Sequence, residues 1–334
     1  IIGQGHIGKR HAEMIRRNPA CELVAVCDTL SKEQLDIEKI KEPFYQNAAV
    51  MLSKHTEIEV VGVCTPNGLH AKHALMALEA EKHVVVEKPL ALHRKECEEI
   101  LYKALHVHKQ VFCVMQNRFS PPSAWLKEIV EKGIIGTPFL VQLNCYWNRD
   151  ERYYKKGSWK GTQDLDGGTL FTQFSHFIDI LYWIFGDIMD IEAQFNDFTH
   201  DGLTEFEDSG LVNFKFVDGG MGCLNYSTAV WDANLESSIT VIGEKGSVKV
   251  GGQYMDKVEY CHIKNYKMPE LAPTNPANDY GHYKGSANNH GYVIQNVIDT
   301  LHGKTAITTN ALEGMKVVDI IERIYAHRKK DRKH

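Results

Sequence analysis

The sequence predicts an α/β protein, with a doubly wound parallel sheet in its first part and an α/β domain with a large, mostly antiparallel open sheet in its second. Over the first 115 residues, short apolar runs alternate with helix-patterned stretches, which is typical of βαβ units. After Pro121–Pro122, apolar residues instead recur at every second position between turn signals. A length of 334 residues suits about two domains, which we place at 1–118 and 119–334.

The predicted strands of the first part are continuous apolar runs, as strands buried on both faces require. Ile1–Ile2 is interpreted as the end of one strand. The other strands are Leu23–Cys27, Glu59–Cys64, His83–Val86 and Val111–Met115. The helix-patterned stretches between them lie near Gly8–Asn18, Lys32–Lys41, His70–Ala80 and Arg94–His108.

The second part begins with a predicted helix, Ala124–Lys132, and a long strand, Phe139–Trp147. A polar, aromatic and basic segment (148–166) then leads to a very apolar helix over Gly168–Phe185. Six further strands, separated by turns at Asp218–Gly220 and Glu244–Gly246, are Asp190–Phe198, Gly210–Val217, Gly222–Ala229, Glu236–Ile242, Ser247–Val250 and Val258–Ile263. The closing helices lie near His290–Leu301 and Ala311–Arg328, and the basic end 328–334 is expected to be solvated.

Composition excludes several classes of protein. The formal net charge of −5 gives no global basic field for nucleic acid or an anionic membrane. No apolar run approaches the roughly 18–20 residues of a transmembrane helix. The eight cysteines are scattered without a C-x-x-C pair, so we expect reduced thiols, a cytoplasmic protein and no metal site. Because Ile1 sits at the end of a strand, we expect a preceding segment, which could hold a targeting signal.

A dinucleotide fingerprint opens the chain. Gly3–Gly8 reads G-x-G-x-x-G where a strand ends and a helix begins, so Gly3, Gly5, His6, Ile7 and Gly8 are candidate cofactor-binding residues. The helix N-terminus offers free N–H groups to a pyrophosphate. Asp28 follows the next strand, 20 residues after Gly8, and suits the ribose hydroxyls while repelling a 2′-phosphate. The sequence therefore predicts a Rossmann domain that binds NAD rather than NADP; a plain turn with a helix-capping Asp28 is the alternative.

Two further loops lie at predicted carboxyl ends of strands, where open α/β sheets bind their ligands. One loop contains Thr65, Pro66, Asn67 and His70, and the other is Glu87–Pro89. Lys88, fixed by the proline after it, is placed to touch a substrate hydroxyl beside a nicotinamide. A simple surface turn is the alternative interpretation.

The apolar helix of the second part carries one polar stripe on an arc of roughly 160° at about 100° per residue. A buried polar stripe needs partners. Either the stripe packs against polar backbone, with His176 a core histidine, or it lines a cleft in which His176 is an acid/base and Asp179 orients it. The polar residues are Thr169, Thr172, Gln173, Ser175, His176 and Asp179.

Taken together, these motifs resemble the glucose–fructose oxidoreductase/inositol dehydrogenase/MocA family, in order through nearly the whole chain. The resemblance implies an N-terminal Rossmann domain, a C-terminal domain with an open sheet, and a sugar or cyclitol held between them. It implies catalytic roles for Lys88 and His176, with Thr65–Asn67, Glu87 and Gln116 around the nicotinamide. The motifs are Gly3–Gly8 with His11, Thr65–Asn67 with His70, Glu87–Pro89, Gln116–Arg118, and Gly167–Gly168 with His176–Asp179.

The chain departs from the family pattern at one position. Many members carry an aspartate four residues before the helix histidine, where this chain has Thr172. A carboxylate–histidine relay of that type is therefore in doubt. Asp179 or water must replace it, or Lys88 transfers the proton while His176 only binds substrate.

The segment from Tyr146 to Thr162 resembles the bacterial UDP-N-acetylglucosaminuronate 3-dehydrogenases, which oxidise the C3 hydroxyl of their sugar. Its cations pair with carboxylate or phosphate, and its aromatic rings stack on sugar or uracil. An exposed charged loop is the alternative. Trp159 is expected to close over the nicotinamide, and 285–290 to close the same cleft. The candidate substrate-binding residues are Lys88, Arg118, Arg152, Tyr153, Lys160, Thr172, Gln173, His176 and Asp179; the other cations are Arg149, Lys155 and Lys156.

The predicted function is NAD-dependent oxidation of a secondary sugar hydroxyl, C3 of UDP-N-acetylglucosaminuronate in the most specific form. The alternatives are another sugar or inositol dehydrogenase, a NAD-dependent glycosidase, and a non-enzymatic NAD-binding regulator. We also expect a homodimer or homotetramer, by analogy with the family, because the exposed face of an antiparallel sheet needs covering.

Overall fold

The computed structural model describes residues 1–281 and 283–328, so most of the predicted basic end lies outside the described residues. Two compact units divide the chain: unit 1 comprises Ile1–Met115 and His290–Val318, and unit 2 comprises Gln116–Asn289 and the residues from Asp319 onward. None of the described helices has the length and apolar character that crossing a membrane requires.

Unit 1 is a doubly wound parallel sheet. Ile2 forms parallel bridges to Cys27 on one side and Val63 on the other, which joins two sets of parallel strands. The strands are β1 (Val26–Cys27), β2 (Phe44–Tyr45), β3 (Val60–Val63), β4 (His83–Val86) and β5 (Val111–Cys113), in the orders β1-β2 and β3-β4-β5. The helices are α1 (His6–Arg17), α2 (Ala48–Lys54), α3 (His70–Glu79), α4 (Arg94–His106), α7 (His290–Leu301) and the start of α8 (Ala311–Tyr325). The predicted fold class is confirmed for this half.

One local prediction in unit 1 is wrong, and two elements, β2 and α2, were not predicted. Residues 32–41 form turns instead of a helix, since Asp36 takes a left-handed φ of 53° that a helix cannot contain. Helix α2 was not predicted, although Asn47 caps it by accepting a hydrogen bond from Val50 N–H.

The predicted domain boundary also differs from the compact units. Residues 290–318 follow the second domain in sequence but pack in unit 1. Asn310 bridges Phe112 beside β5, and His290 is buried against Glu87. A sequence boundary at 118/119 cannot show such a return of the chain.

Unit 2 contains an open sheet of seven strands in the order β12-β11-β10-β6-β9-β8-β7. Only the β6–β9 pair is parallel, so the predicted mostly antiparallel sheet is confirmed. Its strands are β6 (Pro138–Tyr146), β7 (Ile188–Asn196), β8 (Ser209–Phe216), β9 (Met221–Ser227), β10 (Glu236–Gly243), β11 (Gly246–Gly251) and β12 (Lys257–Ile263). The six strands predicted after residue 185 are all present, with ends within two residues of their predicted positions. A short hairpin, β13 (Ala277–Asp279) and β14 (Lys284–Ala287), was not predicted.

Helices α5 (Pro121–Glu131) and α6 (Ser175–Phe185) belong to unit 2. The predicted helix over 168–185 is not uniform, because Leu170–Phe174 forms a π-helical turn before α6 begins. A π turn breaks the spacing of about 100° per residue, so the single polar stripe does not continue through it. Most of α6 is buried, including His176 and Asp179.

Candidate active site

The glycine loop of unit 1 has the shape of a phosphate cradle. Gly3 takes a φ of +94°, and a Cβ there would lie 2.5 Å from the carbonyl oxygen of Cys64. A Cβ on Gly8 would overlap the carbonyl oxygen of Gly3, so loop and helix are in direct backbone contact. At Gly5 no atom lies within 4 Å of an added Cβ. The loop is therefore open at Gly5, the position at which a G-x-G-x-x-G loop allows close approach to the backbone.

The first turn of α1 supports the same interpretation. Its N-cap residue, Gly5, offers no side-chain hydrogen bond to the helix, and the first turn holds no acidic residue. The free N–H groups and the positive end of the helix dipole suit an anion. His6 is exposed at the start of the helix, whereas the side chain of Ile7 packs on the apolar cluster that includes Ile1 and Val26.

Asp28 lies where β1 ends, beside the glycine loop. Its carboxylate accepts hydrogen bonds from the backbone N–H groups of Gln4, at 2.7 Å, and Leu30, at 3.0 Å. These bonds fix an acidic group just after β1, beside the glycine loop. NAD-binding domains bind the ribose with an acidic residue in this place. No helix follows Asp28 directly, so it caps a turn.

His70 joins the loop at Thr65–His70 to the loop at Glu87–Pro89. Its ring nitrogens lie 2.6 Å from the carbonyl oxygen of Pro89 and 2.8 Å from that of Thr65. Burial lowers the pKa of His70, although both carbonyl groups favour its protonated form. The structure thus gives this predicted cofactor residue a positioning contact between the two loops. Thr65 and Pro66 precede a turn of 3₁₀ helix that begins at Asn67.

Glu87, which directly follows β4, has buried partners in unit 1. His11 Nε2 lies 2.7 Å and His290 Nε2 3.4 Å from the same carboxylate oxygen. Burial opposes its charge, but the two histidines hold the pKa of Glu87 well below its usual range. The three ligand-type atoms lie within 4.8 Å of one another, as metal ligands can, and the separation of His11 from Glu87 is that of a hydrogen bond. Lys88 itself is half-buried.

In unit 2, a carboxylate reaches Thr172, the position at which the resemblance had implied an aspartate. The Thr172 hydroxyl donates a short hydrogen bond to Asp166. Asp166 also accepts a hydrogen bond from Gly161 N–H at 2.8 Å and is fully buried. Burial raises the pKa of Asp166 to about 6, against these hydrogen bonds. Sequence analysis missed this residue because no motif links it to position 172.

Asp179 forms an ion pair with Arg118, a contact that the sequence did not predict. Its two carboxylate oxygens accept hydrogen bonds from Arg118 Nε at 2.9 Å and Nη2 at 2.6 Å. Both side chains are buried, and the Arg118 guanidinium lies 5.3 Å from the Trp183 ring centroid. The predicted orienting residue of His176 is thus one half of a bidentate ion pair, which fixes α6 to the segment after β5.

The predicted anion-binding cations separate into two groups. Arg152 is held at the surface by Asp150, at 2.6 Å, and Asp232, at 3.1 Å. Arg149 is buried, and its Nε donates a hydrogen bond to Gln173 Oε1 at 2.7 Å. Sequence analysis could not separate these arginines, because they lie three residues apart in one basic segment.

Two other predicted cofactor residues have partners within unit 2. The side-chain oxygen of Gln116 accepts a hydrogen bond from Asn289 N–H at 3.0 Å, and its backbone carbonyl accepts one from the Asn289 amide at 3.2 Å. Trp159 is half-buried in a turn, where its carbonyl accepts a hydrogen bond from the Thr162 hydroxyl at 2.7 Å. The segment 285–290 therefore contains a hairpin strand and an anchoring asparagine.

An open glycine loop, an uncapped helix N-terminus and a fixed acidic group are the features of a dinucleotide-binding domain. Residues 1–115 match the family model described as an oxidoreductase family with an NAD-binding Rossmann fold. Residues 124–249 match the model of the GFO/IDH/MocA C-terminal domain. The chain belongs to the GFO/IDH/MocA family, and it is an NAD-dependent oxidoreductase of the sugar-dehydrogenase type.

Three relatives cover nearly the whole chain. The WlbA dehydrogenase from Bordetella pertussis, solved with NADH and UDP-GlcNAcA, is 27% identical at a TM-score of 0.84, over 98% of this chain and 94% of that one. The WlbA enzyme from Chromobacterium violaceum, with the same ligands, is 28% identical at a TM-score of 0.86, over 98% and 92%. D-glucoside 3-dehydrogenase of Escherichia coli is 26% identical, over 97% of this chain and 93% of its own length.

Proposed function

We propose that the protein oxidises the C3 hydroxyl of UDP-N-acetylglucosaminuronate to a ketone. The observation that carries the proposal is the likeness to two enzymes solved with this sugar acid, over 98% of the chain. The relative from Escherichia coli is also named for dehydrogenation at position 3. The basic, aromatic segment of unit 2 adds chemical support, because the substrate is an anion.

Unit 1 supplies the cofactor site. The backbone of Gly3–Gly8 and the start of α1 would hold the pyrophosphate, and Asp28 the ribose. When bound, NAD⁺ accepts the hydride and its two electrons from the carbon that bears the hydroxyl. The chain must then remove one proton from that hydroxyl group.

Lys88 and His176 are proposed to handle this proton. A neutral amine or imidazole accepts a proton near neutral pH, and a positioned base contributes about 10²–10⁴-fold to the rate. Lys88 lies two residues after the end of β4 in unit 1, and His176 lies in the first turn of α6 in unit 2. We propose that one of these two residues is the base that accepts the proton.

The test compares Lys88→Met and His176→Asn with the wild-type enzyme. Both substitutions should lower kcat for NADH formation from UDP-N-acetylglucosaminuronate by about 100-fold or more. NADH binding, measured by calorimetry, should change little, because neither residue forms the glycine loop. Near wild-type kcat in both variants would contradict the assignment.

A substrate panel tests the sugar itself. UDP-N-acetylglucosaminuronate, UDP-N-acetylglucosamine and myo-inositol separate a sugar acid, a neutral nucleotide sugar and a cyclitol. We expect the highest kcat/KM with the first. A preference for myo-inositol would leave a dehydrogenase of another specificity, and release of sugar from an aryl glycoside without net NADH would indicate the glycosidase.

A further inference from the structure

A cation–tyrosine cluster, formed by Arg149, Tyr153, Lys160 and Tyr283, lies within unit 2. The guanidinium carbon of Arg149 is 5.2 Å from the ring centroid of Tyr153 and 4.8 Å from that of Tyr283. Lys160 Nζ is 3.9 Å and 5.4 Å from the same centroids. Two cations therefore face the same pair of rings.

Neutral groups satisfy Arg149. Besides Gln173, its guanidinium donates hydrogen bonds to the carbonyl oxygens of Asn148, at 2.6 Å, and Lys284, at 3.2 Å. Among the described residues, no carboxylate forms an ion pair with it. A buried charge without a counter-ion is unfavourable, and burial accordingly lowers the pKa of Arg149.

Lys160 is the second cation of the cluster. Within residues 1–281 and 283–328, its ammonium group donates no hydrogen bond of normal length, and the residue is half-buried. Burial and the neighbouring Arg149 charge lower the pKa of Lys160 to about 8. The nearby carboxylate of Asp166 is already committed to Gly161 and Thr172. The cluster thus holds two cations against one carboxylate.

Gln173 provides an independent sign of a ligand. Its side-chain oxygen accepts the hydrogen bond from Arg149, while its buried Nε2 atom forms no hydrogen bond of normal geometry and faces only the Tyr153 hydroxyl of the cluster. Only 4% of Gln173 is exposed. A buried amide donor without a well-formed hydrogen bond carries a cost that a bound oxygen can remove.

We propose that the cation–tyrosine cluster and Gln173 form the binding site for the sugar carboxylate, with Lys160 as its charged donor. This inference rests on the proposed function and assigns a residue set to its specificity. One surplus positive charge matches a carboxylate, which carries one negative charge, better than a diphosphate. Gln173 precedes the proposed catalytic His176 by three residues, so a carboxylate held there belongs to the ring that is oxidised.

The experiment measures kcat/KM for Lys160→Met and for the matched control Lys156→Met, an exposed lysine of the same segment. With UDP-N-acetylglucosaminuronate, Lys160→Met should lose about 10- to 100-fold, mostly through KM. With UDP-N-acetylglucosamine, which lacks the carboxylate, the loss should stay below about threefold. The preference for the sugar acid is the ratio of kcat/KM with UDP-N-acetylglucosaminuronate to kcat/KM with UDP-N-acetylglucosamine. Gln173→Leu should lower this ratio by a smaller factor than Lys160→Met, and Lys156→Met should leave it unchanged.

The outcomes separate this inference from the proposed function. If Lys160→Met weakens both nucleotide sugars equally but leaves free N-acetylglucosaminuronate unaffected, the cluster binds the diphosphate and the inference is overturned. If the wild-type enzyme oxidises the sugar acid and Lys160→Met keeps the full preference for it, only the inference fails. If the wild-type enzyme oxidises none of these sugars, the proposed function fails. In that case calorimetry compares the affinity of the NADH-loaded wild-type protein and of Lys160→Met for UDP-N-acetylglucosaminuronate. Equal affinities would overturn the proposed carboxylate site.

Discussion

Backbone groups form most of the candidate site in unit 1, whereas buried charged side chains form most of it in unit 2. In unit 1, Gly3 and Gly8 bring loop and helix into contact, and the space at Gly5 is left open. In unit 2, Arg118, Arg149 and Asp166 are charged groups with little or no exposure to solvent. The backbone cradle tolerates a substitution only where there is space for the added atoms. The buried charges are stable only while each charge is compensated by its partners.

This difference suits the ligands of a dehydrogenase family. The pyrophosphate of NAD is common to all members, and N–H groups of the backbone recognise it without any side chain. Substrates differ between members, and charged side chains can be exchanged to suit them. Substitutions in unit 1 should therefore act through steric overlap, and those in unit 2 through uncompensated charge.

The largest effect is expected at Gly8. In Gly8→Ala the new Cβ would overlap the Gly3 carbonyl oxygen, so the loop must move. We expect destabilisation of about 4 kcal/mol or more, together with loss of NADH binding. Urea unfolding and calorimetry measure the two effects.

Gly5→Ala is the matched control. Its Cβ meets no atom within 4 Å, and the extended φ of −65° at Gly5 is open to alanine. Stability should change by no more than about 0.5 kcal/mol. The NADH affinity should still fall, because the methyl group occupies the space that the pyrophosphate enters. Equal stability of the two variants would contradict the backbone-contact account.

The next effect tests the charge compensation of unit 2. Arg118→Met leaves the buried Asp179 carboxylate without its bidentate partner, and breaking a buried pair costs about 3–5 kcal/mol. The double variant Arg118→Met/Asp179→Leu removes both charges and should recover most of that loss in urea unfolding. If Arg118→Met instead keeps its stability and raises only KM, the pair binds substrate, as the sequence suggested.

Sequence reasoning succeeded where the determining contacts are local. The glycine loop, Asp28 and Glu87–Pro89 each lie at the end of a strand. The strands themselves could be predicted from short apolar or alternating runs. The six strands after residue 185 were predicted for the same reason. The predicted helix at 32–41 failed because Asp36 adopts a left-handed conformation within an otherwise helix-like pattern.

The remainder of the site depends on contacts that are remote in sequence. His290 reaches Glu87 across more than half of the chain, and Arg118 reaches Asp179 across 61 residues. Asp166 lies only six residues before Thr172, but the π-helical turn that follows leaves no regular spacing from which to infer their contact. The sequence predicted Lys160 as a substrate-binding residue. It could not show that Arg149 is buried while Arg152 lies at the surface, because burial depends on the fold.

The smallest effect is the pH dependence that Asp166 adds to stability. Its pKa rises from 3.8 to about 6 on folding, so the folded protein holds this proton more tightly than the unfolded chain does. The group therefore stabilises the fold at low pH, and that contribution is lost as the pH rises between about 4 and 6. A shift of this size corresponds to about 1–3 kcal/mol.

The measurement is the difference in unfolding free energy between the wild-type protein and Asp166→Asn, across pH 4 to 8. This difference isolates Asp166 from the other titrating groups, because the two proteins share them. The unfolding free energy of the wild-type protein should fall relative to that of Asp166→Asn as the pH rises to about 6, and the difference should then stay constant. Asp164→Asn, an exposed position in the same segment, controls for the removal of one charge. A difference that moves in favour of the wild-type protein over this range would mean that the hydrogen bonds from Gly161 and Thr172 outweigh burial, and that Asp166 is held as a carboxylate.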